Sequence, residues 1–269
     1  MVSVGAGRQY GEVSVQPLTL YSIDGVRIDA GHLPGADGLC LVLAHGFTGA
    51  WRQPRTRQIA AVLNRVGGVL AIDLRGHGRS GGRSTVGDRE VLDVDAAVRH
   101  ARHLGYERVG LVGFSMGGVV VVRHAALHGG VDAVVAVSAP ARWYYRETKP
   151  MRRVHWAIEQ RWGRVAARIV KNTRIDSGRW AQVPEAPHEV AGRIAPAPFL
   201  VVHGDADPFL PVDHAEQLYG AASDPRELWI EHGFGHAEGA ATPSLIRRIA
   251  DWAATHAREH PSRTRAAGR

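Results

Sequence analysis

The chain has 269 residues, of which 45% are hydrophobic and 22% charged, with one cysteine and a formal net charge of +7. This is globular composition at a length that suits one α/β unit of ~200–250 residues with an insertion. A lone cysteine excludes an intrachain disulfide and a thiolate metal site, and no run approaches the ~18 apolar residues that would span a bilayer.

The cations are nearly all arginines, and they read as scattered along the chain rather than gathered into a nucleic-acid face. Their densest cluster is at the end, where residues 258–269 read as a flexible basic tail. The first sixteen residues lack a basic segment followed by an apolar core. The expected address is cytoplasmic, without a membrane or nucleic-acid partner.

Leu18–Ser22 and Val26–His32 are strand candidates joined through Asp24-Gly25, a hairpin signal, and predict an antiparallel edge. Leu39–Ala44 is continuously apolar, as in a strand buried on both faces, with Cys40 as a small core side chain. Ile59, Ala60, Val62 and Leu63 predict a helix that ends at Gly67-Gly68, before a strand at Val69–Ile72 and a loop at Asp73–Gly82. Val91, Val94, Ala97, Val98, Ala101 and Leu104 share a helical face that ends at Gly105. Further strands follow at Leu111-Val112, Val131–Val137, Phe199–His203 and Glu227–Glu231. Strands alternating with helices predict a mostly parallel sheet covered by helices on both faces.

One interval breaks this rhythm. Between Ser138 and Pro198 about 60 residues pass without a core strand, far more than a crossover needs. Met151, Val154, Ile158, Trp162, Val165 and Ile169 recur at helical steps and predict one amphipathic helix, with a second short one at Val190 and Ile194. Four of the seven tryptophans fall in this interval, beside Tyr144 and Tyr145. An insertion over residues 142–192 that caps the strand ends accounts for both features.

Chemistry is concentrated at three strand ends. Gly113-Phe114-Ser115-Met116-Gly117 reads as strand, sharp turn and helix, with glycines that let strand and helix approach and with Ser115 at the apex near a helix N-terminus. A serine hydroxyl needs a positioned base, itself oriented by an acid. Asp207 and His236 lie just past the last two strands, in the chain order Ser, Asp, His, on the edge where open α/β sheets place ligands. Asp205, immediately after Gly204, is expected to cap backbone N–H groups inside its own turn. Pro208 biases Asp207 towards an extended backbone that reaches for His236.

Over nearly its whole length the chain resembles the α/β-hydrolase superfamily, serine-hydrolase branch. The matching residues are His45-Gly46-Phe47, Asp73 to Ser80, Gly113 to Gly118, His203 to Asp207 and Gly235-His236. The resemblance implies the α/β-hydrolase fold with a helical cap, an oxyanion hole built from the backbone N–H groups of Phe47 and Met116, and Asp207 as the acid. The Asp73 to Ser80 segment is expected to be structural, with Arg75 or Asp73 bracing neighbouring loops and His77 not acting as a catalytic base. No metal and no cofactor is implied, because the histidines lack the helical spacing of a zinc site. The expected activity is hydrolysis of a small apolar or aromatic carboxylic ester through a seryl acyl-enzyme. A thioester, a lactone, a carbon–carbon bond or cofactor-free perhydrolysis would use the same residues, and a non-catalytic ligand-binding protein could keep the same fold.

Overall fold

Eight strands build one sheet: β1 (Gln16–Tyr21), β2 (Arg27–Leu33), β3 (Leu39–Ala44), β4 (Gly68–Ile72), β5 (Arg108–Phe114), β6 (Ala133–Val137), β7 (Phe199–Gly204) and β8 (Arg226–Glu231). Their spatial order is β1-β2-β4-β3-β5-β6-β7-β8. β1 and β2 form the predicted antiparallel edge, and β4 to β8 run parallel with β3. This computed structural model describes residues 15–36, 38–178 and 180–259. Of the predicted basic tail, all but Arg258 and Glu259 therefore lies outside the described residues.

The helices are α1 (Pro54–Leu63), α2 (Val91–His103), α3 (Met116–Leu127), α4 (Lys149–Glu159), α5 (Arg161–Lys171), α6 (Pro187–Val190), α7 (Asp213–Ala221), α8 (Ala237–Ala240) and α9 (Pro243–Glu259). The central strand β3 explains how they are layered. Every residue of β3 is buried, and successive side chains point to opposite faces. Cys40, Val42 and Ala44 pack with α2 and α3, whereas Leu39, Leu41 and Leu43 pack with α1 and α9. Each fully buried leucine contributes about 1.5–3 kcal/mol relative to exposure. Two-sided burial fixes the height of the sheet edge on which the candidate site stands.

The insertion departs from the expectation in two respects. The single predicted helix is two, because Gln160 is extended (φ −90°, ψ 138°) and ends α4 before α5 begins. Gly163 then lets α5 fold back on α4, since a Cβ there would lie 2.7 Å from Ala157 Cα. The second predicted helix belongs to the core: Val190 and Ile194 are buried in the layer that contains α3.

The loop after β4 anchors the far end of the insertion. Arg174 N–H donates to Gly76 O (2.7 Å), Ser84 N–H to Arg174 O (2.7 Å) and Asp176 N–H to Ser84 O (2.8 Å). Gly76 has φ +77°, and a Cβ there would collide with the Arg174 carbonyl. Within the loop, Asp73 accepts from Trp51 N–H and Arg79 N–H, and Arg75 is gripped by Asp24 and Asp93. Burial works against the Arg75 charge, but those two carboxylates hold the guanidinium protonated. Both residues thus brace loops, as predicted.

Candidate active site

Ser115 stands between β5 and α3 with φ 49° and ψ −115°. This strained turn exists because strand, helix and the end of β3 converge on it. A Cβ on Gly113 would lie 2.7 Å from Gly118 N, and one on Gly117 would lie 2.6 Å from His45 O. Glycine is required at both places by close backbone approach.

The three sequence-predicted polar residues are brought together by hydrogen bonds. Ser115 Oγ lies 2.9 Å from His236 Nε2, and His236 Nδ1 lies 2.7 Å from Asp207 Oδ2. A carboxylate only accepts, so Nδ1 carries the proton and Nε2 is left to accept from the serine hydroxyl. The Asp207 side chain is fully buried. Its other oxygen accepts from Phe209 N–H (2.8 Å) and Leu210 N–H (3.1 Å), which fixes its orientation. The Phe209 ring stacks on the imidazole at 4.4 Å and covers it from one side.

Asp205 is also structural, but not in the way expected. Its carboxylate reaches beyond its own turn and accepts from His232 Nδ1 and Gly233 N–H, both at 2.7 Å, in the loop that leads to His236. The His232 hydrogen bond, aided by the Gly233 N–H, holds its carboxyl below the usual range.

The segment carrying Phe47, one of the two predicted oxyanion donors, is braced by groups the motifs did not reveal. Glu238 Oε1 accepts from Gly46 N–H at 2.6 Å. His45 Nε2 accepts from Leu74 N–H, so its Nδ1–H donates to Gly46 O at 2.8 Å. Burial holds His45 below the usual histidine range, in the neutral form this pattern needs. Next to His236, Ala237 has φ +48°, and its N–H donates to Ser138 Oγ (3.1 Å). His77 is fully buried against His45, and burial pushes its pKa down to about 3, so it does not serve as a base. Cys40 is buried too, and its thiol is pushed up to about 12.

Above the serine opens a cleft of about 1470 Å³. Phe47, Met116 and Phe209 line it from the core, and Met151, Val154 and Ile158 of α4 line it from the insertion. Trp143 and Trp180 contribute as a ring pair 5.0 Å apart, each with its indole N–H bonded to a backbone carbonyl. Half the inserted tryptophans therefore face the cleft. Trp156 and Trp162 are exposed.

A mostly parallel sheet with a serine elbow, and with an aspartate and a histidine converging on it from later strand ends, defines an α/β-hydrolase. Residues 37–191 match the model of the family described as Serine aminopeptidase, S33, and the chain belongs to that hydrolase family. It is 29% identical to a Monoacylglycerol lipase of Mycolicibacterium smegmatis over 236 residues, covering 73% of this chain and 80% of the relative. It is 24% identical to the uncharacterized protein YfhR of Escherichia coli O157:H7 over 227 residues, covering 80% and 71%. The Pyrococcus furiosus esterase Pf2001 superposes with a TM-score of 0.72 at 20% identity, over 96% of this chain and 98% of that one. At that identity the likeness establishes the fold alone.

Proposed function

We propose that the protein hydrolyses a carboxylic ester of an apolar or aromatic substrate through a seryl acyl-enzyme. The observation that carries this is the unbroken hydrogen-bond chain from Ser115 Oγ through both His236 nitrogens to the buried Asp207, opening on an aromatic-lined cleft. With Nδ1–H committed to Asp207, Nε2 takes the serine proton as Oγ bonds to the ester carbonyl carbon. The carbonyl electron pair moves onto oxygen, where the Phe47 and Met116 N–H groups receive it; each such donor is worth ~10²–10³ in rate. Collapse expels the alkoxide, which takes the proton from Nε2. Water repeats the sequence and releases the acid.

The names of the M. smegmatis relative and the P. furiosus structure favour an ester, whereas the family description raises peptide cleavage from an amino terminus. An aminopeptidase must hold its substrate's ammonium group. The cleft carboxylates are already engaged, Glu238 by Gly46 N–H, Asp88 by Arg123, Glu159 by Arg146 and Asp176 by Gly178 N–H, and Arg89, Arg142, Arg153 and Arg164 line the same cleft. That charge balance favours the ester. The test is labelling of Ser115 by a fluorophosphonate, followed by p-nitrophenyl esters of increasing acyl length beside aminoacyl p-nitroanilides. Turnover of anilides alone would reject the ester reading, and absence of labelling in folded protein would reject the nucleophile.

A further inference from the structure

The apolar stripe read from the sequence is divided by the break at Gln160, and its two halves have different fates. Met151, Val154 and Ile158 line the cleft. On α5, Gly163 and Ala167 are the buried residues. Trp162 (72% exposed), Val165, Ile169 (77%) and Val170 (72%) face outwards. At 100° per residue Trp162, Val165 and Ile169 fall on one stripe, and Arg161 and Arg168 border it. Large apolar side chains this exposed, and aligned, mark a surface that meets something.

The charge around them is lopsided. Residues 146–171 carry eight cations, including both lysines of the chain, against Glu147 and Glu159. This short stretch thus holds a net +6 of the whole chain's +7. Of these cations Arg146, Arg153 and Arg164 line the cleft, and α5 itself carries Arg161, Arg164, Arg168 and Lys171 with no acidic residue. A second copy docked face to face would bring like charges together, so the surface fits an anionic partner. Nucleic acid would satisfy the charge but leave Trp162, Val165 and Ile169 in water. A bilayer with acidic headgroups satisfies both, since tryptophan settles at the interface, aliphatic side chains enter the acyl boundary and arginines meet the phosphates.

We propose that α5 lies on anionic lipid, seating the insertion, and hence the cleft, at the membrane surface. No helix among the described residues is long and apolar enough to cross a membrane, so the contact is peripheral. It revises the expectation of no membrane partner, and it stands whether or not the cleft hydrolyses esters.

The experiment uses the full chain and vesicles of phosphatidylcholine alone or with about one-third phosphatidylglycerol, read by co-sedimentation and tryptophan emission. Binding is expected on the acidic vesicles, with a blue shift in emission, and weak or no binding on the neutral ones. Trp162→Ser with Ile169→Ser should lower partition at least about tenfold. Arg161→Gln with Arg168→Gln should lower it about 30-fold, at roughly fivefold per cation, and added salt should do likewise. Fluorophosphonate labelling or thermal melting of each variant reports folding independently. No binding to acidic vesicles, or equal binding by wild type and both variants, overturns the proposal. So does self-association or DNA retention that the same substitutions abolish in a protein that ignores vesicles.

Discussion

The Glu238 carboxylate accepts the Gly46 N–H at 2.6 Å, joining the loop that carries His236 to the loop that carries Phe47. The proposed base and the proposed oxyanion donor therefore stand on linked segments, and Arg55 ties them to α1 through Glu238 O and Ala241 O. Glu238 is in this sense a positioning residue. Glu238→Ala should lower kcat for esters by about tenfold with little change in KM, since a charge-assisted hydrogen bond is worth about 1.5–3 kcal/mol and only part of it reaches the transition state. Glu238→Gln, which still offers a carbonyl acceptor, should recover most of that loss. Equal rates of fluorophosphonate labelling in wild type and the alanine variant would reduce the contact to loop packing.

The two aspartates past β7 separate cleanly by environment. Asp207→Asn leaves no carboxylate on His236 Nδ1 and favours the wrong tautomer, which should cost ~10⁴ in kcat with the fold preserved. Asp205→Asn keeps an acceptor for Gly233 N–H but loses the charge beside His232, and should lower the melting temperature more than turnover. Steady-state kinetics and thermal melts of the two variants give the comparison; the reverse pattern would exchange their roles. Ser115→Ala should remove labelling and at least ~10³ of the rate.

The parts of this site that were legible in the sequence are those specified locally. Gly113 and Gly117 bracket Ser115 within one turn. Asp207 follows the continuous apolar run of β7 and His236 the mixed strand β8, so their places at strand ends are local, while the resemblance to the family pointed to Asp207 as the acid. Glu238 was not legible because its partner, Gly46, lies 192 residues away and a glutamate two residues after a histidine carries no pattern. The break at Gln160 was hidden because apolar residues continue at helical steps through it. α9 went unread although Leu245, Ile246, Ile249, Ala250 and Ala253 follow its buried face, a signal that was available. The concentration of cations in residues 146–171 was countable too, but an inventory over the whole chain diluted it.

Gly76 tests whether the insertion depends on the loop after β4. In Gly76→Ala, positive φ alone costs about 1–2 kcal/mol, and the added methyl displaces Arg174 O from the bonds that hold residues 174–176. Limited proteolysis should then cut within residues 142–186 before the core, while Ser115 still labels. Resistance equal to wild type would mean that the insertion is held by its other contacts.

Trp143 and Trp180 provide a separate test of the cleft lining. Losing one ring of an aromatic pair removes its buried area and about 0.5–1.5 kcal/mol of pairing. Trp143→Ala should therefore raise KM for aryl or long-chain esters about tenfold and leave acetyl esters and labelling nearly unchanged. A uniform change across the ester panel would assign the ring to packing rather than to substrate.

Buried neutral histidines set the expected acid stability. Burial pushes His77 down to about 3, and burial with Arg142 nearby pushes His214 down to about 4. Burial also lowers His45 and His124. In the unfolded chain each takes up a proton near ~6.5. Below that pH the unfolded state binds protons that the native state refuses, so stability is full above ~6.5 and falls as pH drops towards the folded values, by about 1.4 kcal/mol per pH unit for each group. Asp73 and Asp93 work in the opposite direction: burial raises them to about 6 and about 7, so the native state gains a proton first at each and is favoured as pH falls through those values. Four histidines outweigh these two carboxyls, and the melting temperature should decline from about pH 6.5 to 5. His214→Asn keeps an acceptor for Ala141 N–H, which His214 Nδ1 now accepts at 3.0 Å, and removes one titrating group. Its melting temperature should vary less steeply over that interval, and a slope unchanged from wild type would remove His214 from the account.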